Sequence, residues 1–160
     1  MLHHLPYDIW MLILDFVIPP PMRLLNWIDP AKMEWHRLSH DPAAIELLRA
    51  NPWKIDWDML SRNPAAIALL RANPDKINWM LVSRNPAAIE LLRANPNIIV
   101  WYALSMNPAA IELLRENPEK INWSELSQNP GAITLLQANQ DKVDWSWLSR
   151  NPNAFEPDLK

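Results

Sequence analysis

The chain has 160 residues, 49% of them apolar, which suits one domain with a continuous core and argues against a disordered segment. Its net charge of −3, from 15 basic and 18 acidic side chains mixed along the chain, gives no electrostatic footprint for nucleic acid or an anionic membrane surface. The lack of cysteine excludes disulfides and thiolate metal sites, and 16 prolines against 1 glycine disfavour loop-rich β folds, which need glycine at turns of positive φ.

Read from the amino end, residues 1–18 begin without a basic leader. The apolar run from Ile9 to Ile18 is broken by Asp15 and closed by Pro19-Pro20-Pro21. It is too short to cross a bilayer and has no cleavage pattern, so the expectation is a soluble, intracellular protein with no membrane contact. Residues 5–17, from Leu5-Pro6-Tyr7-Asp8-Ile9 to Phe16-Val17, read as one apolar helix able to cap the layer that follows it.

Beyond this helix the chain repeats with a period of 22 residues. Asp41-Pro42, Asn63-Pro64, Asn85-Pro86, Asn107-Pro108, Asn129-Pro130 and Asn151-Pro152 keep that interval. So do Trp35, Trp57, Trp79, Trp101, Trp123 and Trp145, and the serines from Ser39 to Ser149. A degenerate copy covers residues 19–40, marked by Asp29-Pro30 and Trp35-His36-Arg37-Leu38-Ser39. Five tandem copies cover residues 41–150, and residues 151–160 hold a partial copy and the tail. One such unit cannot bury its own apolar face, but stacked units can.

Each copy carries two helix-start signals, because Asn followed by Pro places a good cap before a residue suited to the first helical turn. Helix A therefore runs from Pro64 to about Ala72, with Ala65, Ala66, Ile67, Leu69 and Leu70 forming a wide apolar arc. Asn73-Pro74 opens a second segment bearing Ile77, Trp79, Leu81 and Val82. Helix B starts either at Pro74 or after Asn78, and the sequence leaves both open. A leucine-rich repeat would show an L-x-x-L-x-L pattern, which is absent, and helix formers dominate. The fold class is all-α: an α-solenoid of stacked helical hairpins behind an N-terminal capping helix.

Within this frame the constant residues read as structure. The tryptophans from Trp35 to Trp145 form a ladder that fills the space between layers, in preference to an aromatic binding track, and the asparagines read as helix caps. Glu46 with Arg49, Glu90 with Arg93 and Glu112 with Arg115 are three apart and predict a solvated stripe of ion pairs. His36 and His40 share a helical spacing but lack a third ligand. No nucleophile–base constellation and no phosphate-cradling glycine loop is present, so neither catalysis nor a cofactor is expected. Copy three, residues 85–106, departs from the pattern. Ile98 stands where its neighbours have Lys76 and Lys120, Val100 where they have Asn78 and Asn122, and Met106 where they have Arg84 and Gln128. Tyr102 follows Met80 at the equivalent position one copy earlier. If helix B spans them, Ile98, Tyr102 and Met106 share one stripe, and with Met80 and Val100 they form a candidate interface for an unidentified protein partner or a second copy. The final layer, with Val143, Trp147 and Phe155, is a second route to a homodimer.

The stretch Leu5-Pro6-Tyr7-Asp8-Ile9 with Ile13, Leu14 and Phe16 resembles the opening helix of an F-box. That resemblance implies that Leu5, Pro6, Ile9, Ile13, Leu14 and Phe16 contact the Skp subunit of a cullin ubiquitin ligase. The paired Asn-Pro signals and W-x-x-L-S of residues 41–155 resemble repeats of uncharacterised proteins from large DNA viruses infecting protists. This second likeness implies a helical-repeat protein in the host cytoplasm and no particular activity.

Overall fold

The computed structural model describes residues 24–155. The F-box-like residues from Leu5 to Phe16 therefore lie outside the described residues. Among those described, every regular element is helical: three-residue 3-10 turns alternate with α-helices of four to six residues.

Copy two shows how the sequence builds one layer. Asn63 is extended (φ −78, ψ 117), and its side-chain oxygen accepts from the Ala65 amide at 3.0 Å. Pro64 follows at the first helical position, where a missing N–H costs nothing. The chain turns through a 3-10 turn at Pro64–Ala66 and relaxes into an α-helix at Ile67–Arg71. Helix A is thus these two pieces in series, as the sequence predicts. Asn73 then leaves helical space (φ −136, ψ 62), consistent with the bias of a residue before proline away from α.

Both start points left open for helix B are used. Pro74–Lys76 forms one 3-10 turn, which ends because Ile77 is extended (φ −70, ψ 126). Asn78 then caps an α-helix at Trp79–Arg84 by accepting from the Leu81 amide at 3.2 Å. We call the row containing Trp79–Arg84 the tryptophan helices and the row containing Ile67–Arg71 the leucine helices.

Stacked layers share one hydrophobic spine. Leu48, Leu60, Leu70, Leu92, Leu104, Leu114 and Leu126 are fully buried, each stabilising the fold by about 2 kcal/mol through area removed from water. Ala66, Ala88, Ala110 and Ala132 are also fully buried where successive Pro-Ala-Ala turns stack, a spacing that admits only a small side chain. Gly131 stands one residue earlier, where other copies have Ala65, Ala87 and Ala109, and a Cβ there would meet the Pro108 carbonyl oxygen at 2.6 Å. Each tryptophan helix packs against the next, as do the 3-10 turns that open the leucine helices, whereas the leucine helices themselves approach one another less closely. The result is an all-α solenoid of helix pairs, with the tryptophan helices on its tighter side.

Candidate interaction face

The polar residues that recur bond one layer to the next. Ser61, Ser83, Ser105 and Ser127 are fully buried, and each hydroxyl donates to the carbonyl of the tryptophan four residues earlier. Each also accepts a backbone N–H from the following copy, at Asn78, Val100, Asn122 and Asp144 respectively. Asn85, Asn107, Asn129 and Asn151 cap their own turns and send their amides backwards. Asn107, for example, donates to the carbonyls of Ser83 and Asn85 at 3.0 Å each. The capping role read from the sequence is present, and a bond between layers is added to it.

The second asparagine row corrects that reading. Asn51, Asn73, Asn95, Asn117 and Asn139 make no side-chain cap to the turn that follows. Their amides donate back to the carbonyl four residues earlier, as Asn73 does to Leu69 at 2.9 Å. They close the preceding helix by satisfying one of its orphan carbonyls.

Five tryptophans, Trp35, Trp57, Trp79, Trp101 and Trp123, are partly buried against the core. Lys142 covers the Trp123 ring at 4.8 Å, and Lys54 lies over Trp35 at 5.9 Å. Trp145 departs from the expected ladder at 64% exposure, since no later tryptophan helix among the described residues covers it. Phe155 is also exposed, while Val143 and Trp147 are half-buried and Arg150 lies over the Trp147 ring.

The stripe of ion pairs is also revised. Glu46 with Arg49 and Glu112 with Arg115 pair at 3.6 and 3.0 Å. Arg93 instead reaches into the next copy, holding both oxygens of Glu116 at 2.6 and 2.9 Å. The hydrogen bonds from Arg93 hold the Glu116 carboxyl below its ordinary range. Asp144 is lowered as well, first by the Ser146 hydroxyl and then by the Trp147 backbone. His36 and His40 are exposed on the first tryptophan helix, and no group of three or more potential metal-binding residues occurs among the described residues.

Copy three does expose apolar side chains, in an arrangement different from the one expected. Met80, Ile98 and Tyr102 are each 40% exposed, and Val100 and Met106 are half-buried. Ile98 ends a 3-10 turn, and Ile99 and Val100 are extended before the helix begins at Trp101. Ile98, Tyr102 and Met106 therefore do not share one continuous helix. The contact that forms runs across layers: the Tyr102 hydroxyl donates to the Met80 sulfur at 2.9 Å. Val100 provides no side-chain cap, yet its backbone N–H still reaches Ser83 at 3.2 Å.

Polar groups lie on both sides of the pair. Asp58 accepts from the Asn78 amide at 2.8 Å, and Ser124 donates to Asp144 at 3.1 Å. Beside Met80 and Tyr102, a cleft of about 140 Å³ is lined by Arg62, Leu81, Arg84, Asn85 and Pro86. The Arg84 guanidinium lies 5.9 Å from the Tyr102 ring centre. Reading the sequence for apolar departures missed both arginines, which repeat in register and so look like framework. It also missed Trp53, 74% exposed where other copies carry Asp75, Asn97, Glu119 and Asp141. That exchange was visible in the aligned copies.

No protein-family model, curated protein or solved structure matches the chain.

Proposed function

We propose that the chain is a non-catalytic helical-repeat scaffold that binds another protein, or a second copy of itself, through the exposed face of its tryptophan helices. The reading is carried by the cross-layer apolar pair Met80 and Tyr102, each 40% exposed in a row whose other members are His36, Asp58, Ser124 and Ser146. A stacked array supplies a rigid platform, and such platforms bind through extended surfaces built from successive repeats. Replacing Tyr102 and Met106 together by Glu leaves the circular-dichroism spectrum unchanged and removes binding of any partner recovered with the wild type. Light scattering of the same two proteins after size exclusion reads self-association. A monomer in both cases rejects the homodimer, and partner binding that survives both substitutions rejects the face.

A second reading rests on the Leu5-Pro6…Ile9…Ile13-Leu14-Asp15-Phe16 pattern. It makes the chain a substrate adaptor that docks the Skp subunit through those residues and presents the repeat face to a target. Pulldown with purified Skp tests it, and no capture by the full chain rejects it. The likeness of the repeat to viral helical-repeat proteins supports placing either activity in the cytoplasm of an infected host cell.

A further inference from the structure

We infer that the partner of the tryptophan-helix face is an acidic peptide segment of another protein. One of its carboxylates sits between Arg62 and Arg84, and a neighbouring large apolar side chain rests on Met80 and Tyr102. This rests on the proposed scaffold reading and adds the chemistry of the partner.

Charge and its local shortage carry the inference. Arg62 and Arg84 occupy equivalent positions in copies one and two and line the same cleft. Neither pairs with a carboxylate among the described residues. The acids nearest Arg62 in sequence are already engaged, since Asp58 accepts from Asn78 and Asp56 caps the Met59 amide at 3.0 Å, and Glu90, the acid nearest Arg84 in sequence, is not among the residues that line the cleft. Two guanidiniums facing one cleft repel each other, and an anion between them relieves that repulsion while offering two oxygens to planar donor forks. Arg84 also links the cleft to the apolar pair, since it lies over the Tyr102 ring and the Tyr102 hydroxyl touches Met80. An occupant that satisfies the whole surface carries an acid and an apolar anchor within a few residues of each other.

Nucleic acid fits less well. The chain is net negative at −3, so its overall field repels a polyanion, whereas a single carboxylate is held over distances within the Debye length of about 8 Å at physiological salt. A second copy offering the same face brings the same unpaired arginines to the contact.

The probe is a display library of random short peptides selected against the immobilised full chain. Each selected peptide is then compared with a counterpart in which Asp and Glu become Asn and Gln. The expected result is selection of peptides that combine acids with Phe, Trp or Leu. Their amide counterparts bind wild type about tenfold more weakly, the difference expected for hydrogen bonds to a charged group. The Arg62→Ala, Arg84→Ala double variant, both of whose changes are at exposed positions, binds the two versions equally. If binding is indifferent to the arginines but lost on Tyr102→Glu with Met106→Glu, the acidic partner is wrong and the face stands. If light scattering shows a dimer that the Tyr102 and Met106 substitutions dissolve, a second copy occupies the face and the inference falls. Selection of no peptide, or of peptides indifferent to every variant, removes the inference and the face together.

Discussion

The asparagine–serine spine and the outer face of the tryptophan helices are built by the same copies, yet they tolerate change in opposite ways. Asn107 is fully buried, and its counterparts Asn63, Asn85, Asn129 and Asn151 are asparagine, the exposed Asp41 of copy one being the departure. Tyr102, in the tryptophan helix just before it, is 40% exposed, and its counterparts are His36, Asp58, Met80, Ser124 and Ser146. The difference lies in how many copies each side chain must satisfy. Asn107 caps its own turn and bonds the two copies before it at Ser83 and Asn85, so a replacement has to work in several copies at once. Tyr102 meets solvent, the Met80 sulfur and the Arg84 guanidinium over its ring, none of which is a buried joint between layers. Identity along this array therefore marks the joints between layers, and variation marks the surface available to a partner.

The largest effect that bears on this contrast should come from Asn107→Ala. Losing a cap and two buried interlayer bonds should cost about 3 kcal/mol in denaturant unfolding. Asp41→Ala, at an exposed position whose carboxylate caps only its own turn, should cost about 1 kcal/mol. Equal costs at the two positions would break the distinction between joint and cap.

Gly131→Ala sharpens it next. Alanine ordinarily stabilises a helical position, but here its Cβ meets backbone, and a loss of about 1 kcal/mol is expected by the same assay. A gain in stability would show that the joint between copies four and five can open without penalty. Val100→Asn restores the cap that Asn78 and Asn122 provide, and should raise stability by about 1 kcal/mol while reducing the apolar surface of copy three. Tyr102→Ser should shift stability by no more than about 0.5 kcal/mol, as expected at a surface position, yet weaken partner binding.

The smallest effect is electrostatic. The folded pKa of Glu116 is depressed by Arg93, so the pair's contribution is present above the ordinary glutamate range and fades as pH falls through the folded value. Thermal melts of wild type and Glu116→Gln across acidic pH should converge there, and salt should narrow their separation at neutral pH. A constant gap at every pH would show that the pair carries no charge-dependent stability.

Much of the fold was legible because the rules that set it are local. Asn-Pro announces a helical turn within three residues, capped by its own asparagine only in the first row, and the spacing of Ile67, Leu69 and Leu70 announces a buried helix. The extended break at Ile77 was less legible, because two helix starts five residues apart compete and only the folded backbone shows that both are used. The candidate face was half legible. Tyr102 and Met80 stood out as departures, but their contact crosses layers, and Arg62 and Arg84 become notable only once they line a cleft without a carboxylate.

The sequence by itself determined the period, the helix starts and the buried leucines, because caps, proline and apolar spacing act within a few residues of chain. Tertiary structure decided which asparagines join layers, why Arg93 pairs with Glu116 and not Glu90, and which apolar side chains meet at the surface. Those outcomes depend on distances between residues about one period apart, and such distances are set only when the layers stack.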